Sequence, residues 1–284
     1  MRLANLEGRA TIVTDDGIID VATASNGAFS TSLAKCLGQL DKLAAWYRSS
    51  QPAPNDLISI EALASDSRLG AIVNPQQVFA IGLNYRRHAA ETGKDVPKEP
   101  MVFTKFPSAV CGPNDPVPIP GKSTDYEGEL VVVIGSTLRN VSVEDALTGV
   151  AGYCVGQDYS EREWQYRNTP PQFSLGKSFK NFAPMGPWIT TADEIPNPND
   201  LGLTTRVNGE IMQDSNTSDM VFSVAELIAY LSSVCELRRG DVIFTGTPEG
   251  VGQARTPPFF LKPGDEVVTT IERLGTIRNV AVAP

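Results

Sequence analysis

The hydrophobic and polar positions in the larger part of the chain form short runs that predict strands. From Gln77 onward, apolar and β-branched residues are grouped in short segments, and glycine or proline separates each segment from the next. Segments of this length and composition are typical of β-strands. The strand-like segments are VFAIGL, MVFTKF, ELVVVIG, YCVGQD, PWITT, TRVNGEI, DVIFTGT and DEVVTTI. They predict a core made mainly of β-structure rather than of alternating strands and helices.

Helical periodicity is confined to a few segments. Residues 32–50, SLAKCLGQLDKLAAWYRSS, predict a helical stretch before the proline-containing loop QPAPND. Ser142 opens SVEDALTGVAG and Ser223 opens SVAELIAYLSSVCEL, each with an acid three residues later, which is the spacing of a capping box. Short helical stretches are also predicted in NYRRHAAETG and SEREWQ. Because strands outnumber helices, the predicted fold class is β-dominated α+β.

The pattern of predicted helices and strands changes near Val73 to Pro75. Before this point the chain has the pattern of short strands, a helical stretch and a loop, whereas the β-rich segments come after it. A chain of 284 residues is long enough for one large domain or two modest ones. We therefore predict a small N-terminal α+β domain over residues 1–73 and a larger domain over residues 74–284.

Composition and charge exclude some classes of binding partner. Hydrophobic residues make up 41% of the chain and charged residues 20%, an ordinary balance for a compact globular protein. The net charge is −9 and the basic residues are scattered, which argues against binding to nucleic acid or to an anionic membrane. No apolar run approaches the ~18 residues of a membrane span, and MRLANLEGR lacks the apolar core of a signal peptide. The sequence predicts a cytoplasmic protein.

The chain lacks the motifs of several common kinds of functional site. The four cysteines lie far apart and form no CxxC pair, so neither a disulfide framework nor a zinc site is predicted. The GKS at residues 176–178 lacks the earlier glycine of a phosphate-binding loop, and GVGQAR at residues 250–255 lacks the last glycine of the dinucleotide fingerprint. No GxSxG elbow accompanies the single histidine, which argues against a serine-hydrolase triad.

Acids alternate in the segment TDYEGEL directly before an apolar run. In a strand, Glu127 and Glu129 project to the same side about 7 Å apart, with Asp125 as a candidate third. Enclosed carboxylates repel each other unless a cation lies between them, and oxygen ligands suit Mg²⁺, Mn²⁺ or Ca²⁺. A second strand-like run ends at Asp158, where a further ligand would lie. Taken alone, an acidic pair at this spacing more often marks a solvated strand edge.

Three further features have both a catalytic and an ordinary interpretation. The single histidine, His88, is followed on the same helical face by Glu91, and a carboxylate beside an imidazole makes a candidate general base. Alone, such a pair is more often a surface ion pair. Lys177 has aromatic and small neighbours and could orient an enolate oxygen, although an isolated lysine is usually solvated. The turn TGTPEGVG offers N–H groups and the hydroxyls of Thr245 and Thr247, although glycine-rich turns usually serve geometry alone.

Seven motifs, in their order along the chain, resemble those of the fumarylacetoacetate hydrolase family. They are IGLNYRRHAAE, MVFTKFPSAVCGP, DYEGEL, GQDYSEREWQ, PQFSLGKSF, MVFSVAELIAYLS and GDVIFTGTPEGVG, and they extend from about Phe79 to the C-terminus. The resemblance implies a mixed β-sandwich roll that is usually dimeric and holds a divalent cation in its mouth. The first ~70 residues resemble only the variable small N-terminal domain that many members carry.

The resemblance also implies roles for the acids and the histidine. Glu127, Glu129 and Asp158 correspond to the family's metal ligands, and the implied cofactor is Mg²⁺ or Mn²⁺, with Ca²⁺ as an alternative. His88 and Glu91 correspond to the family's HxxE dyad, on a segment that tends to be mobile and to close over substrate. The cation would then neutralise the clustered acids of the TDYEGEL segment.

Other motifs supply the implied substrate contacts. Lys177 corresponds to the family's substrate-contacting lysine, Gln165 to the glutamine after the metal aspartate, and Thr245 to the threonine of the TGT turn. Further candidates for the lining of the same site are Lys105 and Ser108. Many relatives of this family have an acid at the position of Lys180, and we expect this departure to affect the rim of the site or a contact between subunits rather than the fold or the metal site.

The resemblance leaves three functions open. The first is a metal-dependent hydrolase that cleaves a C–C bond of a 2,4-dioxo acid, such as fumarylpyruvate, maleylpyruvate or a sugar-derived diketo acid, to pyruvate and a second acid. In it, His88 with Glu91 would activate water and Lys177 would stabilise the departing enolate. The second keeps the site without attack by water, as in an oxaloacetate-type decarboxylase or a 2-hydroxydienoate isomerase. The third is a non-catalytic metal-binding or metabolite-binding module. The expected partners are a 2-oxo or 2,4-dioxo acid and a second copy of the chain.

Overall fold

The computed structural model describes residues 1–284, and short strands dominate its secondary structure. The strands are β1 Arg2–Leu6, β2 Arg9–Val13, β3 Ile18–Asp20, β4 Val78–Gly82, β5 Met101–Thr104, β6 Val110–Cys111, β7 Val117–Pro118, β8 Thr124–Asp125, β9 Gly128–Ile134, β10 Val150–Gln157, β11 Ser160–Glu161, β12 Ala183–Thr191, β13 Gly202–Val207, β14 Glu210–Asn216, β15 Val242–Phe244, β16 Glu266–Ile271 and β17 Gly275–Val282. The helices are α1 Val21–Ala24, α2 Leu33–Leu37, α3 Leu40–Ser50, α4 Ile60–Ala64, α5 Arg86–Glu91, α6 Val143–Ala146, α7 Arg162–Tyr166, α8 Phe173–Gly176 and α9 Val224–Val234. The predicted β-dominated α+β class is confirmed.

Ten strands form one mixed sheet, and β9 lies near its centre. The order along the sheet is β3, β2, β1, β12, β10, β9, β15, β4 and β5, with β6 paired to β12. β9 pairs in antiparallel fashion with both β10 and β15. Val131 and Val133 of β9 pack in one hydrophobic cluster, whereas Leu130 and Val132 pack in another. Because β9 is buried on both faces, its sequence is a continuous apolar run and not an alternation.

A second sheet of five strands packs against the first. Its order is β14, β13, β16, β17 and β7, and all its pairs are antiparallel except the pair of β17 with β7. Leu203 of β13 and Ile271 of β16 share a hydrophobic cluster with Leu130 of β9. Leu227 and Leu231 of α9 belong to the same cluster. The two sheets and α9 therefore enclose a common core, which holds β9 in a fixed position.

The N-terminal strands continue the large sheet. β1 pairs with β12, with Arg2 opposite Thr190, and β2 and β3 follow on the outer side of β1. Leu3 of β1 and Leu43 of α3 pack in the same cluster as Val131 of β9. The domain boundary after residue 73 stays a prediction about independent folding units, because the N-terminal strands hydrogen-bond to the larger part.

The helices differ in length from what the sequence pattern indicates. The helical stretch predicted over residues 32–50 is divided into α2 and α3, because Gly38 and Gln39 separate them. The helix that begins after Ser142 ends as early as Ala146, since a 3₁₀ turn and then β10 follow it. α9 has the full predicted capping box with Ser223. No helix of the protein is both long enough and apolar enough to span a bilayer.

Candidate active site

Two paired strands bring three acids together. Glu127 and Glu129 flank the first residue of β9, and Asp158 directly follows the last residue of β10. The antiparallel register places Gly156 opposite Glu129, and the Asp158 N–H donates to the Glu127 carbonyl at 2.9 Å. One oxygen of each carboxylate lies within 4.8 Å of the others, and all three side chains are buried. The structure thus places the three predicted metal ligands in one cluster.

Buried amides hold the backbone between the two glutamates. The Glu127 N–H donates to Gln157 Oε1 at 2.8 Å, and the Gly128 N–H donates to Gln213 Oε1 at 2.9 Å. A Cβ atom at Gly128 would collide with the hydroxyl of Thr205 on the neighbouring sheet. Glycine is therefore required between the two acids, and the carboxylates are fixed to the core through their own backbone.

Three buried cations lie against the acid cluster. Lys177 Nζ contacts the Glu127 carboxylate and lies 2.7 Å from Asp158 Oδ2, and Lys105 Nζ also donates to Asp158. Arg162 Nη2 lies 2.7 Å from Glu127 Oε1. Burial opposes ionisation of Glu127, but the charges of Lys177 and Arg162 outweigh it and lower the pKa of this carboxyl to about 2. Glu127 is therefore ionised under ordinary conditions.

Glu129 differs from the other two acids because it forms no salt bridge. Its carboxylate accepts one hydrogen bond, from the Gly246 N–H at 2.8 Å. Burial, followed by the charges of Asp158 and Glu127, raises the pKa of Glu129 well above its usual range. A buried carboxylate of this kind is stabilised by a cation among the three acids, and an all-oxygen donor set suits Mg²⁺ or Mn²⁺. The residues present therefore fit a hard divalent ion.

Asp125 does not join the cluster, although the alternation in sequence made it a candidate. Its carboxylate accepts hydrogen bonds from the Gly252 N–H at 2.7 Å and the Gln253 N–H at 3.0 Å. It also accepts from Arg162 Nε at 2.9 Å. Asp125 therefore ties the TGTPEGVG turn to Arg162 and helps to set the position of the guanidinium beside Glu127.

The sequence reasoning missed Arg162, which begins α7. Its Nη1 donates to Gln165 Oε1 at 2.8 Å, and both side chains line the cavity beside the acids. The signal was present in the chain, because Arg162 precedes Gln165 by three residues in the helix-like segment SEREWQ, so the two share a helical face. What the spacing did not reveal is that its charge faces inward, towards Glu127.

α5 holds the histidine over the cavity. His88 is buried, and its Nδ1 lies 2.7 Å from Glu91 Oε1. Glu91 Oε2 accepts from the Gly250 N–H at 2.9 Å, and Arg87 pairs with Glu249 at 2.9 Å, so α5 is docked on the TGTPEGVG turn. The Glu91 carboxylate orients the imidazole and leaves its Nε2 as the nitrogen available for proton transfer.

One cavity of about 420 Å³ brings the predicted residues together. Its lining includes His88 and Glu91 from α5, together with Glu127 beside β9, Gln165 of α7 and Lys177 after α8. Apolar side chains also line it, among them Met101, Phe103, Phe173 and Val251. A volume of this size suits a small ligand, and apolar side chains together with convergent polar groups are typical of a substrate site.

The two threonines of the TGT turn have different surroundings. The Thr245 hydroxyl is fully buried and donates to the Leu130 carbonyl at 2.9 Å, outside the lining of the cavity. Thr247 does line the cavity, and its hydroxyl donates to the Gly128 carbonyl at 3.0 Å. Gly246 between them has a φ of 100°, so the strand alternation ends there. Thr247 therefore lies in the lining of the cavity, whereas Thr245, the predicted substrate contact, lies outside it.

The remaining predicted residues lie at different depths. Lys105 is fully buried beneath the acid cluster and lies outside the lining of the cavity. Burial lowers the pKa of Lys105, against the opposing effect of Asp158. Ser108 and Lys180 are exposed and lie outside the lining. The wall of the cavity therefore takes its charged groups from other motifs.

Comparisons of the sequence find a family model and related proteins. A family model described as fumarylacetoacetate (FAA) hydrolase C-terminal matches residues 77–282. The oxaloacetate tautomerase fahd2, mitochondrial, of Xenopus laevis is 47% identical over 218 residues, which are 76% of this chain and 68% of that protein.

Solved structures match over the whole chain. The crystal structure of a Mycobacterium smegmatis protein, provisionally named HpcE, has a TM-score of 0.91 and 46% identity, and the match covers 100% of this chain and 99% of that one. The maleylpyruvate hydrolase from Sphingobium sp. SYK-6, solved with manganese(II) and pyruvate, has a TM-score of 0.81 and 30% identity, with coverage of 100% and 99%.

Proposed function

Since this chain belongs to the fumarylacetoacetate hydrolase family, we propose that it is a metal-dependent enzyme that interconverts the keto and enol forms of a 2-oxo dicarboxylic acid such as oxaloacetate. The observation that carries the proposal is the imidazole of His88, oriented by Glu91 in the same cavity as Glu127 and Lys177. Enolisation of a 2-oxo acid needs a base and a means of stabilising negative charge on oxygen. The identity with an oxaloacetate tautomerase supports this reaction over the others open to the same site.

The proton transfer is assigned to His88. A bound Mg²⁺ or Mn²⁺, held by Glu127, Glu129 and Asp158, would polarise the oxo group and acidify the adjacent C–H bond. Nε2 of His88 takes the proton from C3, because Nδ1 is engaged by Glu91. The C–H electron pair becomes the C2–C3 double bond, and the carbonyl pair moves onto oxygen, which takes a proton from solvent. His88 then returns its proton to solvent, so the sum is a proton shift without redox change.

Glu91 and Lys177 support the charges that develop. The Glu91 carboxylate lies against the imidazole and stabilises it when it is protonated. Burial alone would lower the pKa of Lys177, but the carboxylates of Asp158 and Glu127 raise it. Lys177 therefore remains an ammonium group and can donate a hydrogen bond to the oxygen on which negative charge accumulates.

Hydrolysis of a 2,4-dioxo acid is the second candidate function. It is favoured by the similarity to a maleylpyruvate hydrolase that binds manganese and pyruvate. In this reaction the same His88 would take a proton from water, the hydroxide would attack the distal carbonyl, and the C–C bond would break to give the pyruvate enolate and a second acid. The two reactions share the enolate of a 2-oxo acid and differ in whether water attacks.

The test compares both reactions on one preparation loaded with Mn²⁺ or Mg²⁺. Loss of the ultraviolet absorbance of enol-oxaloacetate measures tautomerisation, and loss of diketone absorbance from a panel of acylpyruvates measures hydrolysis. Pyruvate released from oxaloacetate measures decarboxylation. We expect tautomerisation well above the rate with the metal ion alone. No acceleration with any substrate would overturn an enzymatic role and favour a binding module.

Substitution on α5 provides the matched control. His88→Gln should lower the tautomerisation rate by roughly 10²–10⁴-fold, the usual contribution of a general base. Ala90→Gln changes an exposed position on the same helix and should leave the rate unchanged. A His88→Gln variant that keeps the full rate would remove His88 from the mechanism.

A further inference from the structure

Lys94 is placed over the cavity by the end of α5. The helix stops at Gly93, whose φ of 66° is left-handed, and the Gly93 N–H donates to the Ala90 carbonyl at 3.1 Å. The Lys94 N–H donates back to the Ala89 carbonyl at 3.0 Å. This pair of bonds is the Schellman arrangement, which reverses the chain after a helix. Lys94 follows this turn, and its side chain is exposed to solvent but contributes to the lining of the cavity.

Lys94 is the unpaired charge of the cavity. His88 and Glu91 pair with each other, and Glu127 pairs with both Arg162 and Lys177. The Lys94 side chain forms neither a salt bridge nor a hydrogen bond, although it lines the same space. The cavity therefore carries one positive charge that no group of the protein neutralises.

We propose that Lys94 binds the second carboxylate of a 2-oxo dicarboxylic acid whose first carboxylate lies beside the cation that Glu127, Glu129 and Asp158 would hold. This inference rests on the proposed function and adds the residue that recognises the second carboxylate. Glu127, Arg162 and Lys177 reach the cavity from the start of β9, from α7 and from the end of α8, whereas His88 and Lys94 reach it from α5 and the turn that follows it. A ligand that carries an anionic group at each end would join these two groups and place its central carbons beside His88.

The same contact links substrate length to the position of α5. Lys94 is tied to α5 through Ala89, and α5 is docked on the turn through Glu91 and Gly250. A dicarboxylate held by Lys94 therefore stabilises the arrangement in which His88 faces the cavity. A monocarboxylate of the same size gains nothing from Lys94 and leaves α5 held by its own contacts alone.

Deuterium exchange at C3 tests the proposal with two substrates. Oxaloacetate has the second carboxylate, and 2-oxobutanoate has a methyl group in its place. We expect Lys94→Gln to lower kcat/KM for oxaloacetate by about tenfold or more, as for loss of a hydrogen bond between charged groups. Exchange of 2-oxobutanoate should change less than about twofold on the same argument. Lys94→Glu should lower kcat/KM for oxaloacetate further than Lys94→Gln does, without a matching effect on the exchange of 2-oxobutanoate. The matched control is Lys98→Gln, an exposed lysine of the same segment outside the lining.

Binding of unreactive ligands supplies a second readout. Malate and 2-hydroxybutanoate differ by the same carboxylate and cannot enolise, and titration calorimetry of the Mn²⁺-loaded protein measures their Kd values. Lys94→Gln should weaken the binding of malate and leave the binding of 2-hydroxybutanoate unchanged. Equal effects on both members of either pair, or no effect on malate or oxaloacetate, would overturn the role of Lys94. If the native protein exchanges neither oxo acid, the proposed function fails, and the calorimetric comparison still decides whether Lys94 recognises the second carboxylate.

Discussion

Glu129 is the residue whose ionisation most needs a partner. It is 1% exposed, forms no salt bridge, and its pKa is raised by burial and by two neighbouring carboxylates. The first prediction follows from this position. Mn²⁺ at about 100 times its Kd should stabilise the native protein by about 2.7 kcal/mol, because it binds the folded form alone. Glu129→Gln should lose that gain, since an amide cannot supply the negative charge that the ion requires.

Chemical unfolding with Mn²⁺ and with a chelator measures this difference. Glu210→Gln is the matched control, because Glu210 is exposed and lies outside the cluster. The control should keep the full gain from Mn²⁺. A Glu129→Gln variant that gains as much stability as the native protein would show that the ion binds elsewhere.

Asp20 supplies a pH-dependent contribution to stability. Hydrogen bonds from the Arg9 guanidinium, at 2.5 and 2.9 Å, and then from the Thr23 N–H lower the pKa of Asp20 from 3.8 to about 2. A lowered pKa stabilises the folded state at every pH above the unfolded value, and this stabilisation disappears as the pH falls from about 4 towards 2. We predict that Asp20→Asn costs free energy of unfolding at pH 7 and that the cost shrinks below pH 4.

Urea unfolding of both proteins at pH 7, 4 and 3 measures the cost. Part of it persists at low pH, because asparagine also accepts the hydrogen bond that caps α1. Asp16→Asn, at an exposed position of the same β-hairpin region that forms no salt bridge, provides the comparison. A difference between the native protein and Asp20→Asn that stays constant from pH 7 to pH 3 would contradict the assignment.

Individual site residues were predictable where local spacing decides their direction. The two-residue period placed Glu127 and Glu129 together, and the three-residue helical spacing placed His88 beside Glu91. Arg162 was not found, because its direction depends on Asp125 and Glu127 across the fold. The choice between the two threonines of the turn was also beyond the sequence, since a left-handed glycine ends the strand period between them.

At the scale of elements, the contact between α5 and the TGTPEGVG turn controls the base. Gly250 has a φ of 99°, and a Cβ there would collide with the Met212 carbonyl. Gly250→Ala should therefore shift the turn, weaken its hydrogen bond to Glu91 and lower the rate at least tenfold. The strained backbone should also cost more than about 1 kcal/mol of stability.

Gly264→Ala separates the effect of backbone strain from the effect of shifting the turn that binds Glu91. Gly264 has a φ of 100°, but nothing lies within 4 Å of a Cβ at that position. It should lose stability through the backbone alone and keep the rate. Steady-state kinetics and thermal unfolding of both variants measure the difference, and equal rates in the two would mean that the turn does not position Glu91.

The strands were more predictable than the helices. Apolar segments bounded by glycine and proline marked most strands of both sheets, because burial and turn chemistry act locally. The helical period of residues 32–50 did not reveal the break at Gly38, where a Cβ would contact the guanidinium of Arg239. The end of α6 was also missed, because pairing of β10 with β9 takes over the residues that follow.

The whole molecule presents an exposed apolar surface next to the cavity. Val102, Phe106, Trp164, Tyr166 and Leu175 are each more than a third exposed. They lie on or beside β5, α7 and α8, which pack together, with the rings of Tyr166 and Phe173 5.9 Å apart. Apolar surfaces of this kind mark sites of association. We predict a homodimer, as the family resemblance implies, with this surface at its interface.

Light scattering after gel filtration tests the homodimer. The native protein should have twice the mass of the 30.5 kDa chain, and Leu175→Glu should shift the equilibrium towards the single chain because it buries a charge. Val234→Glu is the control, since Val234 is 70% exposed at the far end of α9. A dimer unaffected by Leu175→Glu would place the interface elsewhere, and a native protein of single-chain mass would contradict the homodimer.

The fold class was predictable from the sequence, but the arrangement of the sheets was not. Nothing in the local pattern of Arg2 and Leu3 indicates that β1 pairs with β12, nearly 190 residues later. The sequence also does not distinguish tautomerisation from hydrolysis, because both reactions use the same side chains. The order of the motifs along the chain carried more information than any one of them.

The burial of β9 on both faces has a practical meaning for redesign. The two glutamates are anchored in the interior through this strand, whereas most of residues 92–100 are exposed to solvent. Libraries that vary residues 92–100 should thus yield soluble proteins with altered substrate selectivity. Libraries aimed at β9 should yield mostly aggregates, because every side chain of its apolar run packs in one of two hydrophobic clusters.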